Sequence, residues 1–172
     1  MEMKILILGL SCSGKTTLSN FLSSKMNIPC FHLDNYYWKS CWIKNPDFDI
    51  NQFFNLENWI LDGNYFDNQF IERLATCDII VYLVVPLATR MFRMIRRHLK
   101  YKKNPEKYNP ISSKINLKFI FSTIKKHLVL QPKILRLLNN NYKNKLIVSN
   151  NIRKFLFIEN EEDIYKLFYT DK

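Results

Sequence analysis

The chain has 172 residues, of which 47% are hydrophobic and 24% charged, with a net charge of +11. That apolar content supports a sizeable core in one domain spanning residues 1–172 and excludes a disordered or collagen-like chain. No apolar stretch reaches the roughly 18 residues of a membrane span, and Cys12, Cys30, Cys41 and Cys77 form no Cys-x-x-Cys pair that would suggest zinc or a disulfide framework.

Met3 to Leu8 reads as a buried strand. It begins so close to Met1 that no signal peptide fits before it, and with the cysteine usage this predicts a cytoplasmic protein. Directly after it, Gly9-Leu10-Ser11-Cys12-Ser13-Gly14-Lys15-Thr16 fits G-x-x-x-x-G-K-[ST]. The whole chain has only three glycines, against an average usage of about 7%, and two of them frame this loop. Backbone N–H groups of such a loop wrap the phosphates of a nucleoside triphosphate, at a helix N-terminus that favours negative charge. The expected ATP site comprises Gly9, Ser11, Cys12, Ser13, Gly14, Lys15, Thr16 and Thr17. Within it Lys15 reaches the β- and γ-phosphates, the Thr16 hydroxyl ligates Mg²⁺, and Ser11, Ser13 and Thr17 donate to phosphate oxygens.

A helix is predicted from about Lys15 to Lys25, with Leu18, Phe21 and Leu22 on its apolar side. Pro29 introduces a second strand, Cys30 to Leu33, ending in Asp34. From Asn35 to Asn58 the chain is dense in aromatics, including Tyr36, Tyr37, Trp38, Trp42, Phe48, Phe53 and Phe54. They read as the core of a small helical insertion or as a platform on which a base stacks. Trp59-Ile60-Leu61 is a third strand ending in Asp62-Gly63-Asn64, and Phe66 to Ala75 is helical. Asp78 to Val85 is a β-branched strand closed by Pro86. A basic helix, Leu87 to Leu99, precedes a polar break around Lys102 to Pro110. Ile115 to Leu130 has helical spacing, and Pro132 to Leu138 opens another helix. The last strand is placed at Lys154 to Ile158, with Lys145 to Val148 as the alternative, before a helix from Glu159 to Phe168. Strands alternating with helices predict a parallel α/β sheet with ligands at the carboxyl ends of its strands.

Asp34 and Asp62 therefore face the loop. Asp62 suits a carboxylate that holds Mg²⁺, and Asp34 a general base for a substrate hydroxyl; the alternative for each is a helix cap or turn aspartate. Arg93 and Arg97, four residues apart, share a helix face and suit closure over a transferring phosphoryl group. From Arg90 to Arg136 there are 5 Arg and 9 Lys against the single acid Glu106, so this segment carries +13. It is either a solvated helical surface or a patch that meets polyphosphate or nucleic acid. His32, His98 and His127 lack metal-ligand spacing and receive no role.

The loop, followed by His32-Leu33-Asp34-Asn35-Tyr36-Tyr37-Trp38 and by Trp59-Ile60-Leu61-Asp62-Gly63-Asn64-Tyr65, resembles the adenylate-kinase-related P-loop proteins known as DNA topology modulation proteins. Arg73 and Asp78 match that group's Arg before an aspartate-led strand, and Arg93 and Arg97 match its lid arginines. The resemblance implies a nucleoside-monophosphate-kinase fold: a five-stranded parallel sheet flanked by helices, a substrate-binding insertion over 35–57 and a lid over about 93–115. It places the acceptor among Asp34, Tyr37, Trp38, Gly63, Asn64 and Arg73. Two departures stand out. The group's Leu-Asp-x-Pro becomes Leu83-Val84-Val85-Pro86, and no Arg lies between Asn35 and Asn58 to hold a nucleotide phosphate, as adenylate kinases have. The expectation is a P-loop kinase that uses ATP and Mg²⁺ on a small-molecule or nucleotide acceptor whose identity stays open. The alternative is an ATP-binding, nucleic-acid-associated regulatory protein that affects DNA topology.

Overall fold

A computed structural model of the chain describes residues 3–39, 43–64, 69–103, 117–150 and 155. Five strands form one sheet: β1 (Lys4–Gly9), β2 (Cys30–His32), β3 (Trp59–Asp62), β4 (Ile79–Leu83) and β5 (Leu146–Ser149). Their order is β2-β3-β1-β4-β5, and every pairing is parallel. β1 is the central strand, and it carries its five residues Ile5 to Gly9 fully buried.

A strand buried on both faces is apolar throughout, and period-two alternation divides its side chains between two cores. Ile5 and Ile7 point to one face, where they meet Ile60, Ile79 and Val81 and the helix α1 (Lys15–Met26) through Leu18, Leu22 and Met26. Leu6 and Leu8 point to the other, against Trp59, Leu61, Ile80 and Tyr82. That face is covered by Phe70 and Leu74 of α4 (Phe70–Thr76) and by Ile134 and Leu138 of α7 (Gln131–Tyr142). α1 stops where Asn27 takes a left-handed conformation at φ 54° and returns its N–H to Ser23 O, a C-terminal cap that Asn tolerates better than most residues.

The insertion holds two short helices, α2 (Leu33–Tyr37) and α3 (Asn51–Phe54). Its aromatics pack mainly on one another. The Phe31 and Phe53 rings lie 4.5 Å apart and Tyr36 meets Phe53 at 5.2 Å, while Ile50 and Phe53 are buried in the second core. α5 (Leu87–Lys103) follows β4. α6 (Leu117–Lys125) runs through a π-helical turn at Lys126–Leu130 into α7, with helical backbone at both junctions.

The fifth strand corrects the placement preferred from sequence, Lys154 to Ile158, and falls at the alternative, Lys145 to Val148. It is Leu146–Ser149, four residues at the sheet edge paired to Ile80–Leu83. Phe155, the one described residue of the stretch preferred from sequence, is helical and buried among Ile5, Leu18 and Leu22. The helix expected over Glu159 to Phe168, the start of the one at Phe66, and the stretch 104–116 of the expected lid lie outside the described residues. Among the described residues, no helix is long and apolar enough to cross a membrane.

Candidate active site

The loop leaves the carboxyl end of β1 between its two neighbours in the sheet. Gly9 has φ 144°, and a Cβ there would stand 2.8 Å from Ser13 Oγ and 2.9 Å from Leu83 O. Only glycine fits a backbone that turns this tightly against another strand. Gly9→Ala is expected to cost about 3 kcal/mol through overpacking and a strained φ, read as a lower Tm in thermal unfolding. Ser13 N–H donates to Leu10 O at 3.1 Å, and Cys12 crosses the top of the loop at φ 62°. Helix α1 then begins at Lys15.

Asn64, at the end of β3, holds the entry to the loop. Gly9 N–H donates to its Oδ1 at 2.9 Å, and its Nδ2 donates back to Gly9 O. The side-chain amide thus satisfies both polar groups of one backbone residue. Sequence assigned Asn64 to the acceptor; it does line a cavity, but its amide is committed to the loop. Asn64→Leu is expected to lower stability by about 1–3 kcal/mol, and Asn64→Asp to rescue little, because a carboxylate cannot donate to Gly9 O. Chemical denaturation of both variants checks this.

Asp62 ends β3 almost fully buried, at 5% exposure. Its Oδ2 accepts from Thr16 Oγ1 at 2.8 Å and from His32 Nδ1 at 3.1 Å. His32 was given no role from sequence. In the structure it sits directly beside Asp62 in the β2–β3 register, with its Nε2 3.0 Å from Asn20 Oδ1. Laying the ends of β2 and β3 side by side in sequence is the signal that would have found it. Gly63 follows, where a Cβ would meet Leu33 Cβ at 2.8 Å.

α5 reaches the loop through one face. Arg90, Arg93 and Arg97 sit at i, i+3 and i+7, hence roughly in line. The buried Arg90 donates from Nε to Ser11 O at 2.9 Å and from Nη1 to His127 Nδ1 at 3.3 Å. Burial pushes its guanidinium below the ordinary arginine value, an effect opposed by Cys12 and Tyr82. The same burial pushes the Tyr82 hydroxyl up to about 12. Arg93 Nη1 donates to Ser13 O at 3.1 Å and Cys12 O at 3.3 Å. Part of the basic segment is therefore turned inward onto loop carbonyls.

Two cavities open over these residues. One, of about 310 Å³, is lined by Ser11, Cys12, Gly14, Lys15, Thr16, Thr17, Asp34, Asp62, Arg93, Arg97 and Phe119. The second, of about 320 Å³, is lined by Leu10, Ser11, Lys15, Asp34, Trp38, Gly63, Asn64, Phe119, Lys126 and Leu130. They share Ser11, Lys15, Asp34 and Phe119.

The structure thus brings together most of the residues singled out from sequence and leaves four aside, one of them Gly9, which shapes the loop but lines neither cavity. Ser13 is buried beneath the loop, its N–H already bonded. Arg73 is wholly buried in α4 over the Phe70 ring and lines neither cavity. Tyr37 packs on Trp38 and Phe48, with Lys44 over its ring. Phe119, Lys126 and Leu130 were not foreseen, because packing of distant helices and not any motif brings them there, while Leu10 comes with the loop motif but was given no role.

Neither a protein-family model nor a curated protein sequence matches the chain. Solved structures do. Shikimate kinase from Acinetobacter baumannii, in complex with shikimate, aligns over 99% of this chain and 95% of its own with a TM-score of 0.59 at 16% identity. Deoxyadenosine kinase from M. mycoides, with bound dATP, aligns over 96% and 99% with a TM-score of 0.50 at 19% identity. The fold is that of P-loop kinases. At such identities the likeness concerns the arrangement of the chain; the chemistry has to be argued from the residues.

Thr16 and Asp62 present two hard oxygens 2.8 Å apart beside the loop, a donor set that suits Mg²⁺, which takes few protein ligands and fills its octahedron with phosphate oxygens and water. Among the described residues no group of three or more His, Cys, Asp or Glu side chains forms a metal cage.

Proposed function

We propose that the protein is an ATP-dependent phosphotransferase acting on a small acceptor. The observation that carries this reading is the pair of cavities meeting at Lys15 and Asp34. The triphosphate lies in the cavity that Thr16, Thr17, Arg93 and Arg97 line, and the acceptor in the one that Trp38, Gly63 and Asn64 line. At their junction the acceptor hydroxyl oxygen attacks the γ-phosphorus, the bond from that phosphorus to the β–γ bridging oxygen breaks, and ADP leaves. The hydroxyl proton passes to the Asp34 carboxylate. Lys15 follows the charge as it spreads over the γ-phosphoryl oxygens, and Arg93 and Arg97 add to that field. Thr16 and Asp62 would hold Mg²⁺, which when bound would offset the negative charge of the phosphates. His32 keeps the Asp62 carboxylate turned toward Thr16 by its hydrogen bond to Oδ2.

Inward-facing Arg90 and Arg93 favour this reading over the nucleic-acid alternative, since their charge is directed at the loop. Transfer of label from γ-³²P ATP to a panel of nucleosides, nucleotides, sugars and hydroxy acids tests it. Labelled product that is absent with Asp34→Asn is the expected result. ATP consumption unaffected by that substitution would remove Asp34 from the chemistry.

A further inference from the structure

Resting on the kinase reading above, we infer that the acceptor is an anionic hydroxy compound, and that Lys126 of the π-helical turn recognises its carboxylate or phosphate. The acceptor-side cavity has three kinds of wall. Asp34 and Lys15 stand at the end shared with the nucleotide side, where the reacting hydroxyl must lie. Trp38, Phe119, Leu10 and Leu130 are apolar or aromatic and suit a ring or carbon chain. Lys126 is the one cation of this cavity that the nucleotide-side cavity does not share. Its role in triphosphate binding is thereby disfavoured, and a second anion is the partner its charge fits.

Lys126 is exposed to solvent and at the same time lines the acceptor-side cavity. Phe119, Lys126 and Leu130 are spaced i, i+7 and i+11, so one face of the helical run supplies all three to the cavity. The π turn falls at Lys126–Leu130, where this face meets the site, and such turns are frequent at functional sites. The next residue, His127, accepts from Arg90, which itself holds Ser11 O. The backbone that carries Lys126 is thus fastened to the phosphate loop through one buried arginine. Among the described residues no carboxylate forms an ion pair with Lys126, a condition it shares with every described lysine except Lys39. A cavity of about 320 Å³ is at the small end of ligand sites, which fits a compact acid or a phosphorylated sugar.

The test is calorimetric titration of the protein saturated with Mg²⁺ and the non-hydrolysable analogue AMP-PNP. The probes are matched pairs: shikimate with methyl shikimate, gluconate with glucitol, and ribose 5-phosphate with ribose. At least one charged member should bind tenfold or more tightly than its neutral partner. Lys126→Met should reduce that preference to within about twofold while AMP-PNP affinity holds, and Lys126→Arg should keep most of it. Charged members that bind no better than neutral ones, or a preference that survives Lys126→Met, would overturn the inference. The two readings fail differently. Phosphoryl transfer to neutral acceptors alone would leave the kinase standing and remove the anion; failure of wild-type protein to bind AMP-PNP would remove both.

Discussion

Lys15→Met is expected to lower kcat for phosphoryl transfer by about 10³-fold, the scale seen when one preorganised charge or donor is taken from a transition state. Lys15 lines both cavities and stands where they join, so its ammonium is placed to follow the γ-phosphoryl from donor to acceptor. Half-buried at the loop and outside both hydrophobic clusters, it supports little of the fold. Its loss should therefore change stability by less than about 0.5 kcal/mol. Lys15→Arg should recover little, because a planar fork does not occupy the place of a compact ammonium. Steady-state kinetics together with a thermal melt separate the two effects. A fall in Tm comparable to the fall in rate would mean Lys15 is structural. Unchanged kcat would move the transfer site elsewhere.

The loop was legible because its chemistry is local. Two glycines, a lysine and a threonine at fixed offsets after a buried strand need no knowledge of the rest of the chain. Asp34 and Asp62 were legible for a related reason: parallel strands converge at their carboxyl ends, although only Asp62 ends its strand and Asp34 stands in the first turn of α2, just past β2. The same rule held the position of His32, which pairs with Asp62 across β2 and β3. It was passed over because histidines were judged by metal spacing along the chain, and its partner lies thirty residues away.

What was illegible depends on tertiary placement. β5 has a burial pattern with only its last residue fully covered, so its apolar signal is weak and it ranked as the alternative behind the apolar run Lys154 to Ile158, of which Phe155 is buried in the core on the α1 side. Edge strands give weak patterns because one side of their ladder meets no partner. Asn64 looked like an acceptor contact since it follows the turn at Gly63, yet the central strand delivers Gly9 to it first. Lys126 and Phe119 stand more than a hundred residues from the loop, and no motif marks them. Arg93 and Arg97 were singled out as a pair at i, i+4, and Arg90 was read only as part of the basic segment. The helix that starts after Pro86, however, brings its first turn nearest to Ser11, and Arg90 is the arginine on that turn.

That placement gives Arg90→Met an expected stability loss of about 3 kcal/mol, on the scale of Gly9→Ala. The methionine fills much of the volume but donates nothing. Ser11 O loses a charged donor at 2.9 Å and His127 Nδ1 loses one at 3.3 Å. Ser11 and His127 are only half-buried and His127 Nδ1 keeps Gln131 Oε1 at 3.2 Å, so the cost comes mainly from losing the charge-assisted hydrogen bonds of a buried guanidinium. Arg90→Lys should be nearly as harmful, since a single ammonium cannot serve two acceptors through the fixed geometry of Nε and Nη1. Burial already depresses the Arg90 guanidinium, so the native bonds offset a desolvation penalty, and a variant that kept the charge without them would lose that offset. The consequence extends beyond stability. Ser11 lines both cavities, and His127 is held beside Lys126, so one arginine ties the nucleotide side to the acceptor side. Arg90→Met should therefore raise KM for ATP and for the acceptor together, whereas Lys126→Met should raise only the second. Denaturant unfolding gives the stability loss, and paired kinetics at a temperature where both variants are folded give the rest. A variant with lowered stability but native KM values for both substrates would show that Arg90 supports the fold without coupling the two sides.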